Sequence, residues 1–193
     1  MTVVETVGRK NDSFPGDGRP HTYRVRGHDR SAVVLWIGGQ ADEPDRVYAL
    51  TESGHPRVPV FVTVRQARLY ASRRGRPAVS DAATLELFRV QHWLADPVRR
   101  KVPPGAVLDT WNFSEDLARG LDASGRLPEQ GVVHDSAYEK LFGGECATWT
   151  TDELRAVVEL IAAGVELWSS CPVAVNPRSV NFPGGGPGFL RGA

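Results

Sequence analysis

The spacing of apolar residues along this chain changes at Thr63, and this change restricts the fold more than any other feature. Before Thr63, apolar residues alternate with polar ones or form short β-branched runs, as strands do. Thr22–Arg26 alternates, and Ala32–Ile37 is a continuous run typical of a strand buried on both faces. Two further strand candidates are Arg46–Leu50 and Val58–Val62. The pattern predicts a small antiparallel sheet in the N-terminal half.

After this point the apolar residues recur every three to four positions, which is the period of an amphipathic helix. Two helices begin with a capping box, in which a threonine and a residue three positions later bond each other's backbone N–H groups. One capping box is formed by Thr63 and Gln66, in a helix that ends near Gly75. The other is formed by Thr150 and Glu153, at the start of the final helix.

Three other segments complete the predicted arrangement. Leu108–Leu121 and Asp135–Phe142 have helical spacing, whereas residues 81–95 fit either a short strand or a short helix. These segments predict an α+β fold, in which a mainly helical C-terminal half packs on the small antiparallel sheet.

Length and composition indicate one domain. The chain has 193 residues, of which 41% are apolar, and this is enough for a single hydrophobic core. Residues 1–20 and 172–193 are rich in Gly and Pro and are predicted to be terminal tails. The predicted domain therefore covers residues 21–171.

Charge and cysteine content restrict the function. The 23 basic and 23 acidic residues give a formal net charge of zero, which argues against a protein that coats nucleic acid or an acidic membrane surface. No segment approaches the roughly 18 apolar residues of a membrane-spanning helix. The N-terminus also lacks the apolar core of a secretory signal. We therefore expect a cytoplasmic protein in which Cys146 and Cys171 are reduced thiols.

Two acidic clusters are the main candidates for a binding surface. One lies in a predicted loop and the other along one face of the helix that contains Trp111, at positions i, i+3 and i+7. Such a row can bind a metal, recognise a basic partner or supply a general base, or it can simply be a solvated face. The clusters consist of Asp42, Glu43 and Asp45, and of Asp109, Asn112 and Asp116.

A cysteine and a histidine supply the alternative, catalytic hypothesis. Cys146 and His134 are close in sequence, as a thiol nucleophile and its base could be. No peptidase signature surrounds Cys146, and the chain has neither the CxxC nor the HExxH spacing of a zinc site. We therefore predict no catalytic residues, no metal and no cofactor. Trp149, just before a predicted helix, is either packed onto Leu154 or an exposed anchor for a partner.

Several short motifs together resemble a group of small uncharacterised bacterial proteins. These are Trp111-Asn112 with Asp116, Tyr138-Glu-Lys-Leu-Phe142, and Trp149-Thr-Thr-Asp-Glu153 followed by Gly164. The group has a Trp-Asn helix, a Tyr-Asp-Lys-Leu-Phe segment and a final amphipathic helix, and it is associated with immunity proteins of toxin systems. The resemblance covers residues 105–168, although only six residues separate Phe142 from Trp149, where the group has a longer loop.

The resemblance implies an immunity protein that binds and neutralises a cognate bacterial toxin inside the producing cell. The two acidic clusters suit a basic toxin, because opposite charges speed the encounter of two proteins. Two alternatives remain open. One is a small hydrolase or transferase that uses Cys146 with His134 or a carboxylate-bound metal, and the other is a structural or ligand-binding domain with no toxin partner.

Overall fold

A computed structural model describes residues 18–39, 43–52, 54–79 and 82–175. Seven strands and five α-helices lie within these ranges. The strands are β1 (Pro20–Arg26), β2 (Ser31–Ile37), β3 (Arg46–Val47), β4 (Leu50–Glu52), β5 (His55–Val60), β6 (Ala82–Leu85) and β7 (Pro172–Ala174). The helices are α1 (Val64–Arg73), α2 (Leu87–Leu94), α3 (Pro104–Gly120), α4 (Val132–Phe142) and α5 (Thr151–Ser170).

The strands form two small sheets. The larger sheet has the order β3-β2-β1-β6, in which β1 pairs antiparallel with β2 and parallel with β6. The register sets Tyr23 of β1 opposite Val34 of β2 and opposite Ala83 of β6. The smaller sheet has the order β4-β5-β7, and an isolated bridge between Val33 and Phe61 joins it to the larger sheet.

The two faces of the larger sheet are covered by different helices. Residues Val33, Leu35 and Ile37 of β2 pack in a cluster with Ala67 and Tyr70 of α1. On the opposite face, Val25 and Val34 belong to a cluster with Phe113 of α3 and Leu167 of α5. A third cluster joins α2, α3, α4 and α5 around Trp93 and Trp111. The central helix α3 therefore connects the sheet to the helical half of the molecule.

Helix α3 approaches α5 closely at one point. A Cβ atom built on Gly164 of α5 would lie 1.9 Å from Oγ of Ser114, which is buried on α3. Only a residue without a Cβ atom fits this separation. Gly164 therefore sets how closely the two helices pack, and with it the position of α3 over the sheet.

The predicted α+β class is confirmed, and so are both capping boxes. Thr63 accepts a hydrogen bond from the backbone N–H of Gln66, and Thr150 accepts one from that of Glu153. The ambiguous region contains both a strand and a helix, β6 and α2. The sheets differ from the prediction in being mixed, because β6 and β7 pair in parallel with β1 and β5.

The predicted tails overlap regular structure at their inner ends. Pro20 begins β1, and Pro172–Ala174 form β7 instead of belonging to a tail. Pro172 lacks an N–H group and is tolerated here because it starts an edge strand. The backbone N–H of Val58 also donates to the carbonyl of Cys171, which guides the chain onto β5. The remaining parts of both tails, residues 1–17 and 176–193, lie outside the described residues.

No helix within the described ranges is both long enough and apolar enough to span a lipid bilayer.

Candidate binding cleft

A cleft of about 490 Å³ opens between the larger sheet and α3. His21 and Tyr23 of β1 and Trp36 of β2 line its sheet side, because alternate residues of a strand point to the same face. Asp45 and Ala83 also line the cleft. The residues of α3 that line it are Asp109, Asn112, Phe113, Glu115, Asp116 and Arg119.

Aromatic rings give the cleft a rigid apolar wall. The ring of Tyr23 stacks on that of Phe113, with centroids 5.9 Å apart and planes 11° apart. His21 meets Trp36 edge-on at a centroid distance of 5.3 Å. These contacts hold the rings in place, since Phe113 is itself packed edge-on against Trp168 of α5.

The side chain of Asp116 has a structural role in the cleft. Its side chain accepts a hydrogen bond from Nε1 of Trp36 at 2.9 Å and one from a guanidinium nitrogen of Arg119 at 2.5 Å. Arg119 also donates from Nε to the backbone carbonyl of Asp45 at 2.9 Å. Burial raises the pKa of Asp116, and the hydrogen bonds from Arg119 and Trp36 oppose that rise. These bonds fasten α3 to β2 and to the loop before β3.

Two other carboxylates of the cleft also accept hydrogen bonds. Glu115 accepts hydrogen bonds from Nε1 of Trp111 at 3.0 Å and from Nε2 of Gln130 at 2.8 Å. Asp45 accepts one from the backbone N–H of Gly39 at 2.6 Å. Both side chains therefore hold neighbouring segments in position while adding negative charge to the cleft.

Asp109 differs from these carboxylates. Within the described part of the chain, no hydrogen-bond or ion-pair partner faces it, although it lines the cleft. Burial raises its pKa. Burial also raises the pKa of Tyr23 to about 12, and the negative charges of Asp109 and Asp116 contribute to that rise. The carboxylate of Asp109 and the phenol of Tyr23 therefore lie near each other. The negative charge of the cleft disfavours the binding of anions.

The proximity of these two groups predicts a measurable change in titration. Asp109→Asn is expected to lower the pKa of Tyr23 from about 12 toward its ordinary value of 10.0, because a negative charge beside the phenol is removed. The ring carbon signals of labelled tyrosine, assigned with a Tyr23→Phe variant, would report this. Asp152→Asn, on the exposed start of α5, is the control and should leave the pKa unchanged. An unchanged pKa in Asp109→Asn would contradict the geometry.

The structure brings together four of the seven residues predicted to bind a partner. Asp45, Asp109, Asn112 and Asp116 all line the cleft. Asp116, however, is not on a solvated face, because it is only 9% exposed beneath the sheet. Glu43 is exposed and pairs with Arg46 at 3.1 Å.

Asp42 and Trp149 are not part of this arrangement. Asp42 lies outside the described residues. Trp149 lines a separate groove together with Leu154, and its Nε1 donates to the carbonyl of Ala137 at 3.1 Å. Trp149 is therefore half-buried and held to α4, in agreement with packing near Leu154.

Sequence reasoning missed the residues that the sheet contributes. Tyr23 is recognisable as one face of an alternating strand, but nothing local indicates that this face meets α3. Trp36 is assigned to the core by its apolar run, although its indole N–H serves Asp116. Arg119 had the clearest signal, because it stands three residues after Asp116, at ion-pair spacing on a helix.

No hydrogen bond joins Cys146 and His134 among the described residues. Cys146 lies in the groove of Trp149, and burial raises the pKa of its thiol, which disfavours the thiolate. His134 instead packs edge-on against Trp111, and its buried Nε2 has no hydrogen-bond partner among the residues described. Within the same residues, no group of three His, Cys, Asp or Glu side chains is arranged to hold a metal ion.

Comparisons with the profiles of known protein families, with curated proteins and with solved structures found no match.

Proposed function

We propose that this protein is an interaction protein that binds a basic protein partner through the cleft between the larger sheet and α3. The observation that carries the proposal is Asp109, an uncommitted carboxylate in a cleft that contains three further carboxylates and one guanidinium. None of the neighbours that the structure describes neutralises it, so a positive group from a partner would complete the site.

The chemistry of the cleft suits a guanidinium or ammonium group. A carboxylate and a cation form a charge-assisted hydrogen bond, which is stronger than a bond between neutral groups. Aromatic faces attract cations as well, and Tyr23 and Trp36 present their rings in the same cleft. The side chain of an arginine or lysine in a partner would therefore gain both contacts at once.

The partner that we propose is a bacterial toxin, and the proposed role is that of a cytoplasmic immunity protein. The resemblance within residues 105–168 supports this role, because it includes α3 with Asn112 and Asp116. An acidic cleft also suits a toxin with a basic active surface, such as one that acts on nucleic acid. Binding would neutralise such a toxin by covering that surface.

The proposal is tested by searching the genes next to this one for a toxin with a basic C-terminal domain and measuring affinity for that toxin domain. Asp109→Asn is expected to weaken binding by about 10- to 100-fold, since a hydrogen bond to a charged group is worth about 1.5 to 3 kcal/mol. Asp152→Asn removes the same charge from the exposed start of α5 and should bind as the unaltered protein does. Calorimetry at two salt concentrations would measure both constants.

Two results would overturn the proposal. One is an equal affinity of Asp109→Asn and Asp152→Asn for the toxin domain. The other is the failure of the unaltered protein to restore growth to cells that express this toxin domain.

A further inference from the structure

Strand β6 forms one border of the cleft and is the last strand of its sheet. It pairs with β1 on one side, and no described strand pairs with its other side. An edge strand leaves outward N–H and C=O groups unpaired, so it can accept a further strand from another chain. Such pairing is a common way to bind an extended peptide segment.

Ala83 makes this edge continuous with the cleft. It lies opposite Tyr23 in the register and lines the cleft, whereas Thr84 points to the opposite face of the sheet. Both residues are exposed. Because the side chain of Ala83 is a single methyl group, the space above β6 stays open between the sheet edge and Tyr23.

We propose that an extended basic segment of the partner adds to β6 as a fifth strand of the larger sheet. An arginine or lysine on this segment would lie beside Ala83 and extend over it, toward Asp109 and Tyr23. The inference rests on the proposed function and specifies how the partner is recognised. Backbone pairing would supply affinity for an extended segment, and the cleft would select its charge.

Charge complementarity decides which segment fits. Four carboxylates line the cleft next to β6, so an acidic strand would be repelled there and a neutral one would leave Asp109 unpaired. Adjacent strands lie about 4.8 Å apart, so only a long side chain on the added strand can extend past β6 toward β1. Arginine and lysine are the residues that combine this length with positive charge.

The test uses the full chain, labelled with ¹⁵N, and a synthetic eight-residue peptide of alternating threonine and valine with one central arginine. The arginine peptide is expected to shift the indole signal of Trp36 and to slow hydrogen exchange at backbone amides of β6. Replacing arginine by citrulline removes the charge and should weaken binding about tenfold. Two further arginine peptides carry N-methyl groups on alternate backbone nitrogens, one at the odd positions and the other at the even positions. The peptide whose methyl groups replace the N–H groups that face β6 should no longer protect β6 from exchange, whereas the other peptide should still protect it.

Two variants of the protein provide the matched comparison. Ala83→Lys places a positive charge on the cleft face of β6, where it would occupy the position proposed for the partner's cation. Thr84→Lys adds the same charge to the opposite face of the same strand. We expect Ala83→Lys to weaken binding of the arginine peptide at least tenfold more than Thr84→Lys does.

The outcomes separate this inference from the proposed function. If the arginine peptide shifts Trp36 but leaves exchange at β6 unchanged, strand addition is wrong, while binding of a cation in the cleft stands. If no peptide causes any shift, strand addition is also overturned. The proposed function is then judged independently by the affinity of Asp109→Asn for the folded toxin domain.

Discussion

Gly164→Ala is expected to lower the free energy of unfolding by about 1 to 3 kcal/mol, the range for overpacking of a well-packed core. The added Cβ would lie 1.9 Å from Oγ and 2.5 Å from Cβ of Ser114, so α3 and α5 would have to move apart. The sign of the effect is informative. Glycine to alanine in a helix normally stabilises a protein by up to about 1 kcal/mol.

Gly105→Ala is the control for this prediction. Gly105 is in the first turn of α3, where an added Cβ would meet nothing within 4 Å, so the change should be neutral or stabilising. Urea unfolding of both variants would measure the difference. Ser114→Gly in the Gly164→Ala background should recover part of the loss, because it removes the atoms in conflict. Equal stability of the two single variants would contradict the close approach of α3 and α5.

Glu153→Gln is expected to cost about 1.5 to 3 kcal/mol at neutral pH, because it weakens hydrogen bonds to a buried charged group. The Glu153 side chain is only 7% exposed, and Nζ of Lys140 lies 2.8 Å from both carboxylate oxygens. Hydrogen bonds from Lys140, from Ser136 and from the backbone of Thr150 lower the pKa of Glu153 from 4.5 to about 2. Glutamine keeps the shape of the capping box but loses the charge that these donors stabilise.

The same shift predicts how stability depends on pH. The folded pKa lies below the unfolded one, so the stabilisation by Glu153 is complete above pH 4.5 and is lost as the pH falls toward 2. Asp109 and Asp116 act in the opposite direction, because their raised pKa values favour protonation in the folded state. Glu153→Gln should therefore lose less stability on acidification than the unaltered protein does.

Asp152→Asn is the control for this acid sensitivity. Its side chain is 71% exposed and pairs with Arg155, which is 62% exposed, so removal of its charge should change stability by less than about 1 kcal/mol. Circular dichroism during urea unfolding, repeated between neutral pH and pH 3, would compare the three proteins. If all three lose the same stability on acidification, the assignment to Glu153 is incorrect.

Local patterns predicted the strands β1 and β2 and the helix α3, which supply most of the residues that line the cleft. A capping box depends on residues three positions apart, so Thr63 and Thr150 identified two helix starts correctly. The row of Asp109, Asn112 and Asp116 follows from helical spacing alone, and these residues do share the cleft. The parallel pairing of β6 and β7 had no such local signal, because their partners are distant along the chain.

The sequence by itself determined the helices α1, α3, α4 and α5, the strands β1 and β2, and which side of α3 carries the acidic row. Only the tertiary structure decided what that side faces. The hydrogen bond from Trp36 to Asp116 joins residues 80 positions apart and gives Asp116 a structural role, whereas Asp109 has no partner among the described residues. The physical reason is that spacing within an element depends on local geometry, whereas the charge state and contacts of a side chain depend on the elements packed against it.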